Sequence, residues 1–212
     1  MTVKLSTNFS YQDGMMNKGI EFTVLILTLA VAVSVRAAWG WNDEVTHKDL
    51  TNYAADKSAL ASTKKDFFIS MGFTKAFDEL LPAPGQVCDD KTQKTDCTVI
   101  DWLRYGAEKE DAKKRVEWEG RFQNHFHNPL NGKGLSDLQT QTQMSCLEWA
   151  QSSAAQAAPD TPEGDQSWPT LRQLYREALT TTDETARRAK FAQLFKGLGH
   201  QMHLVQVDCH YV

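Results

Sequence analysis

Alternating apolar and polar residues, the pattern of a half-buried β-strand, are almost absent from residues 38–212 of this sequence. These residues instead show stretches with the apolar periodicity of helices, joined by polar loops. We therefore predict an all-α domain built from several helices. The helices are predicted at residues 44–57, 64–81, 99–114, 136–151, 169–180 and 184–206.

Two of these helices carry recognisable signals at their N-termini. Thr98 places a hydroxyl before an apolar run, with the carboxylate of Asp101 three residues later, and Thr181 with Glu184 repeats the arrangement. Such side chains accept hydrogen bonds from backbone N–H groups that have no partner inside the helix. Residues 152–166, which are rich in Ala, Ser, Pro and Asp, are predicted to form a surface loop.

The overall composition is that of one ordinary globular domain, with 41% hydrophobic and 24% charged residues among 212. A net charge of −4 argues against a surface that neutralises many phosphates. A stable nucleic-acid partner is therefore not expected. A pocket that binds a single phosphate is compatible with this charge.

A secretory signal is predicted near the start of the chain. The apolar run of residues 22–35 follows Lys18 and is shorter than the roughly 20 residues of a membrane span. The residues after the run favour cleavage behind Ala37. We therefore expect residues 1–37 to be an N-terminal extension with a signal peptide, and residues 38–212 to be secreted or periplasmic. An uncleaved segment that contacts the membrane as an anchor is the alternative.

Four cysteines fit an exported protein, because disulfides persist outside the cytosol. Cys88 and Cys97 bracket a short polar segment and could close a small loop. The separation of Cys146 and Cys209 in the sequence does not reveal whether they pair with each other.

Five histidines are candidates for metal binding. His47 lies one turn into the first predicted helix and toward its apolar side, where a lone histidine is more often a packing residue than a ligand. His125 and His127 share a face if their stretch, closed by an Asn-Pro turn, is extended. His200 and His203 are three positions apart in the last predicted helix and could face one centre.

Two further features accompany these histidines. Glu108, Glu110 and Asp111 form an acidic cluster at the end of a predicted helix, and the neighbouring lysines favour an ordinary solvated face. Gly197 and Gly199 lie inside the last predicted helix, where each costs roughly 1 kcal/mol relative to alanine. Close approach of another helix or of a metal site would explain these glycines.

The order of three segments resembles the zinc-dependent phospholipases C and the S1/P1-type nucleases. These proteins are secreted all-α hydrolases with a trinuclear zinc site. The resemblance extends over residues 39–206 and is carried by WGWNDEVTH at 39–47, by GAEKED at 106–111 leading to HFHNP at 125–129, and by GLGHQMHLVQ at 197–206.

The resemblance implies roles for individual residues. Asp111 and His125, fourteen positions apart as in the family, would bind one zinc together with His203. Asp111 would also act on the attacking water as the catalytic residue. His47 and the N-terminal residue of the mature chain, which in the family is a tryptophan and here indicates Trp39, would hold another zinc.

The family's aspartate one turn after His203 has no direct counterpart, because position 207 is valine and Asp208 follows one residue late. On a regular helix, Asp208 lies about 140° away from His203, so only a one-residue π-bulge would bring it to the same metal. Ligands further along the family sequence have His210 as a single counterpart. The domain is therefore predicted to be C-terminally incomplete, as a truncated or frameshifted family member.

The function implied by the resemblance is zinc-dependent hydrolysis of a phosphodiester, in a phospholipid or in a nucleic acid. No ligand role carries over to His127 or His200, which are interpreted as structural or as supports for the ligands. A non-catalytic exported helical fragment that binds at most one zinc is the alternative. A membrane-anchored helical domain without metal is a third hypothesis.

Overall fold

The structure, a computed structural model, describes residues 43–58, 60, 65–111, 121–134, 144–159 and 161–207. Within these ranges the chain is helical and contains no β-sheet, which confirms the predicted all-α class. The helices are α1 (Asp43–Lys57), α2 (Lys65–Ser70), α3 (Val99–Lys109), α4 (Cys146–Gln151), α5 (Ser153–Gln156), α6 (Trp168–Thr180) and α7 (Glu184–Gln206). Short 3-10 turns occupy Ala76–Asp78 and Arg121–Asn124.

The long helix α7 lies at the centre of the described fold. It packs mainly along α3 and also contacts α6 and α1. The hydrophobic core includes Phe68 of α2, Trp102 of α3, and Phe191 and Phe195 of α7, all of them buried. The indole Nε1 of Trp102 donates a hydrogen bond of 2.8 Å to the carbonyl of Leu81, which satisfies the buried polar atom of this side chain.

Glycines allow α3 and α7 to cross at very short distance. A Cβ atom added at Gly199 would lie 2.1 Å from the Leu103 carbonyl oxygen, and one added at Gly106 would lie 1.8 Å from that of Lys196. Gly197 faces α6 instead, and a Cβ atom added there would lie 2.1 Å from the Leu171 side chain. The expectation that the α7 glycines permit close helix approach is confirmed, and the crossing brings the end of α3 against the second half of α7.

Three predicted helices agree with α1, α6 and α7. The prediction of one helix over residues 64–81 is wrong beyond Ser70, where α2 ends. Gly72 follows with a φ of +85°, a left-handed conformation that interrupts a helix. The carboxylate of Glu79 then accepts hydrogen bonds from the backbone N–H groups of Thr74 and Lys75, at 2.9 and 3.0 Å.

Other predicted boundaries are partly wrong. Helix α3 ends at Lys109 rather than at residue 114, and α4 starts only at Cys146 because Ser145 and Glu148 form a capping box there. The predicted start of that helix, residues 136–143, lies outside the described residues. The predicted surface loop at 152–166 contains α5.

The predicted helix starts differ in outcome. Thr98 and Asp101 form the expected capping box of α3. The prediction for α7 is wrong in its residue: Asp183 is the N-cap and accepts from the backbone N–H of Ala186, whereas Thr181 donates its hydroxyl proton to the carbonyl of Glu177.

The predicted pair Cys88–Cys97 is confirmed as a disulfide. Cys146 is disulfide-bonded as well. The described residues include no helix with the length and apolarity needed to cross a membrane. The predicted signal segment at residues 22–35 lies outside the part of the chain that the structure describes.

Candidate metal centre

Four side chains from distant parts of the sequence meet beside the α3–α7 crossing. They are His47 on α1, Asp111 just after α3, His125 after the 3-10 turn, and His203 on α7. We call these four residues the His–Asp cluster. They include every predicted ligand that the structure describes, because Trp39 and Asp208 lie outside the described residues. The roles of Trp39 and Asp208 therefore stay predictions.

Asp111 is the centre of the cluster. Its Oδ1 lies 3.5 Å from Nδ1 of His125 and 3.5 Å from Nε2 of His203, and its Oδ2 lies 3.7 Å from Nε2 of His47. Ligand atoms of His47, Asp111 and His203 all lie within 4.8 Å of one another. The separation is short enough for a single ion to contact all of them.

His203 is oriented by the backbone of α3. Its Nδ1 lies 2.7 Å from the carbonyl oxygen of Ala107. A carbonyl oxygen only accepts hydrogen bonds, so Nδ1 carries the proton and Nε2 presents its lone pair to Asp111. The close helix crossing makes this bond available, because Ala107 adjoins Gly106 at the contact point.

His47 is oriented by an amide side chain. Its Nδ1 lies 3.0 Å from Oε1 of Gln206, while Nε2 of Gln206 donates to the hydroxyl of Thr51 at 2.8 Å. In this arrangement the amide oxygen, which can only accept a hydrogen bond, faces the imidazole. His47 therefore donates through Nδ1 and leaves the lone pair of Nε2 for the cluster, an arrangement typical of histidine ligands.

Burial keeps the cluster histidines suited to metal binding. His47, His125 and His203 are buried, and the Asp111 side chain is 20% exposed. Burial, reinforced by the neighbouring His125 and His47, lowers the pKa of His203 to about 2. His203 is thus neutral at physiological pH, and its Nε2 has no hydrogen-bond partner among the described residues.

The donors of His47, Asp111 and His203, two imidazoles and one carboxylate, fit zinc, and His125 adds a third imidazole next to Asp111. Zinc prefers histidine nitrogen and carboxylate oxygen ligands, commonly four of them. The lone pair of His203 Nε2 is buried and faces the Asp111 carboxylate, with no proton between the two groups. A bound cation would interact favourably with both. The residues present are therefore compatible with a zinc ion.

Glu110 lies directly behind the cluster and is completely buried. It accepts hydrogen bonds from Arg121, Trp149 and His200 at 2.7, 2.8 and 2.7 Å. Burial alone would raise the pKa of Glu110, but the Arg121 charge, the nearby imidazole of His125 and the hydrogen bond from His200 hold that pKa well below its ordinary value. The interpretation of the acidic cluster as a solvated face is wrong for this residue.

The other candidates from the sequence either support the His–Asp cluster or make contacts elsewhere. His200 is fully buried and binds Glu110, which agrees with a supporting role. Burial lowers the pKa of His200, so its imidazole is neutral. Glu108 pairs with Lys48 of α1 instead of joining the cluster. His127 forms no ion pair with Asp111 in the described part of the chain.

The structure thus brings together four of the six predicted ligands, and sequence reasoning missed the buried support given by Glu110 and Arg121. In the sequence, the only feature that pointed to a role for Glu110 was its position next to Asp111. Comparisons with known protein families, with curated protein sequences and with solved structures find no match for this chain.

Proposed function

We propose that this chain is a secreted, zinc-dependent hydrolase of phosphoester bonds. The observation that carries the proposal is the convergence of His47, His125 and His203 on Asp111 at distances of 3.5 to 3.7 Å. The order of the three sequence segments, which resembles the zinc-dependent phospholipases C and S1/P1-type nucleases, supports the choice of reaction. In this proposal Trp39 and Asp208 would add further ligands.

Zinc in such a site supplies polarisation of a phosphoryl oxygen and lowers the pKa of water to about 7. The chain's own residues supply the remaining functions. His47 and His203 keep unprotonated nitrogens toward the cluster because their other nitrogens are hydrogen-bonded. Asp111, the cluster residue with the most exposed side chain, would orient the attacking water and accept its proton.

The substrate class in this proposal is a phosphodiester, and a phospholipid and a nucleic acid both contain one. The chain's net charge of −4 favours a substrate bound through a single phosphate over an extended polyanion. Export through residues 1–37 belongs to the same proposal. It predicts that the protein purified from the exported fraction begins near residue 38, as read by N-terminal sequencing.

The test of the proposed function is zinc-dependent turnover of three phosphodiesters: bis(4-nitrophenyl) phosphate, phosphatidylcholine vesicles and single-stranded DNA. We expect turnover of at least one of them by the zinc-loaded chain. His125→Ala should lower the rate by at least about 100-fold, since it removes a ligand of the catalytic metal. His127→Ala, a histidine of the same stretch, is the matched control and should retain the rate.

Circular dichroism of both variants checks that the helices are retained. Absence of turnover on all three substrates would refute the proposal. Zinc binding without turnover would instead support the alternative, a non-catalytic helical domain that binds zinc.

A further inference from the structure

The Glu110 carboxylate is almost saturated by donors. Its Oε2 accepts from Nε of Arg121 and from Nδ1 of His200, both at 2.7 Å, and its Oε1 accepts from Nε1 of Trp149 at 2.8 Å. A carboxylate has about four positions for hydrogen bonds, two on each oxygen. One position on Oε1 is therefore left, and Glu110 is held too firmly by these donors to serve as a metal ligand.

The free position of Oε1 faces His125. Nε2 of His125 lies 3.8 Å from Oε1 of Glu110, and Nδ1 lies 3.5 Å from Oδ1 of Asp111. The imidazole thus stands between the carboxylates of two consecutive residues, one for each nitrogen. Nε2 is buried and has no hydrogen-bond partner at standard distance among the described residues.

Charge decides which nitrogen of His125 carries the proton. Glu110 is paired with Arg121 in a fully buried ion pair, so an anion faces Nε2 permanently. Asp111 would share its charge with a bound cation. The proton of the neutral imidazole is therefore favoured on Nε2, which leaves the lone pair on Nδ1 for the cluster.

We propose that Glu110 is a positioning residue that fixes His125 as the Nε2–H tautomer and directs its Nδ1 lone pair to the metal. This inference rests on the proposed zinc site. Glu110 then does for His125 what the Ala107 carbonyl does for His203 and Gln206 does for His47. Each histidine of the cluster has one nitrogen that faces a supporting acceptor and one nitrogen that faces Asp111.

Arg121 makes this support rigid. Besides Glu110, it donates to Oε1 of Gln156 at 2.8 Å and to the carbonyl oxygens of Gly164 and Pro162 at 2.9 and 3.2 Å. The guanidinium is completely buried among these acceptors. The network therefore ties the segment around α5 to the back of the metal centre, so that Glu110 has a single orientation.

The first test is the zinc affinity of Glu110→Gln combined with Arg121→Met. Changing both members avoids leaving one buried charge unpaired, which would by itself destabilise the protein strongly. We expect zinc binding to weaken about 10- to 100-fold, the usual effect of losing a support of a metal ligand. Glu79→Gln combined with Arg188→Met is the matched control, because Glu79 and Arg188 form another Glu–Arg ion pair, at 3.0 Å. Equal zinc affinities in the two double variants would overturn the proposal.

The second test reads the tautomer of His125 directly, in the zinc-loaded wild-type chain, by nitrogen-15 NMR near pH 8. With zinc beside Asp111 we expect the proton on Nε2 and the lone pair on Nδ1, and a proton on Nδ1 would overturn the positioning role. This readout requires no variant and no turnover. A wild-type chain that binds zinc without turnover would refute the proposed function, whereas the tautomer would still decide the role of Glu110.

Discussion

Single residues of the cluster are unfavourable without a cation. The buried Nε2 of His203 has no hydrogen-bond partner among the described residues, and an unsatisfied buried polar atom costs about 1–3 kcal/mol. A bound zinc would remove this cost by accepting the lone pair. Because only the folded chain assembles the cluster, zinc binding would also stabilise the fold.

Glu79 gives a prediction on acid stability. Burial alone would raise its pKa, but hydrogen bonds from the Lys75 backbone, Arg188 and the Thr74 backbone hold the pKa below its ordinary value. The stabilisation by Glu79 is therefore present above the unfolded-state pKa, about 4.5, and disappears as the pH falls through the lower folded-state pKa. Glu79→Gln should lower the free energy of unfolding by about 1–3 kcal/mol at pH 7, and this loss should shrink as the pH falls below about 4.5.

Urea unfolding at several pH values measures this difference. Glu184→Gln is the control, since Glu184 pairs with the same Arg188 at 3.1 Å but has a 66% exposed side chain. An equally large, pH-dependent loss in the control would contradict the account.

The four cluster residues were expected from the order of three sequence segments, whereas Glu110 was not. Its partners Arg121, Trp149 and His200 lie 11, 39 and 90 positions away. No local pattern marks a contact over such distances. The lysines beside Glu110 in the sequence also indicated a solvated face. Glu110 is nevertheless buried, because the packing of helices distant in the sequence decides its exposure.

At the scale of elements, the crossing of α3 and α7 places the ligands. The carbonyl that orients His203 belongs to α3, and it comes within hydrogen-bond distance because Gly106 and Gly199 have no side chains at the crossing. The distance between these helices therefore controls both the core and the metal centre.

Gly199→Ala should separate these helices. The added Cβ would lie 2.1 Å from the backbone carbonyl of Leu103, which cannot move without its helix. Although alanine favours helices, we expect a loss of about 1–3 kcal/mol in the free energy of unfolding together with weaker zinc binding. Gly197→Ala is the matched control, because its Cβ would meet the flexible Leu171 side chain and should leave zinc binding less affected. Equal zinc affinity in both variants would contradict this role of the crossing.

The start of α7 gives a further prediction. Asp183 accepts a 2.7 Å hydrogen bond from the backbone N–H of Ala186, whereas Thr181 makes no such bond within the described residues. Asp183→Ala should cost about 1 kcal/mol of stability, the usual effect of removing an N-cap. Thr181→Ala should cost less, and thermal unfolding of the two variants decides between them. A larger loss for Thr181→Ala would restore the sequence-based assignment of the cap.

Helical periodicity predicted α1, α6 and α7 to within one residue at each end. It failed between residues 70 and 81, where apolar residues continue but Gly72 has a positive φ. Periodicity describes which residues are buried and contains little information on where the backbone turns. Boundaries therefore depended on caps such as Thr98 and Ser145, and these are visible only in part from sequence.

At the scale of the whole molecule, the described residues belong to one compact unit, Asp43–Val212. Its centre, α7, contributes Phe191 and Phe195 to the hydrophobic core and His203 to the cluster. The all-α class could be predicted from the sequence. The contacts between helices could not, because they depend on side chains that are distant in the chain.

The most direct test of the account is the zinc content of the purified chain after dialysis against metal-free buffer, measured by elemental analysis. We predict at least one zinc per wild-type chain and its loss in Asp111→Ala, since Asp111 faces all three histidines of the cluster. Asp49→Ala, which changes an exposed carboxylate on α1, is the control and should retain the metal. A wild-type chain without zinc, or an Asp111→Ala variant with unchanged zinc content, would contradict the assignment of the His–Asp cluster as a metal centre.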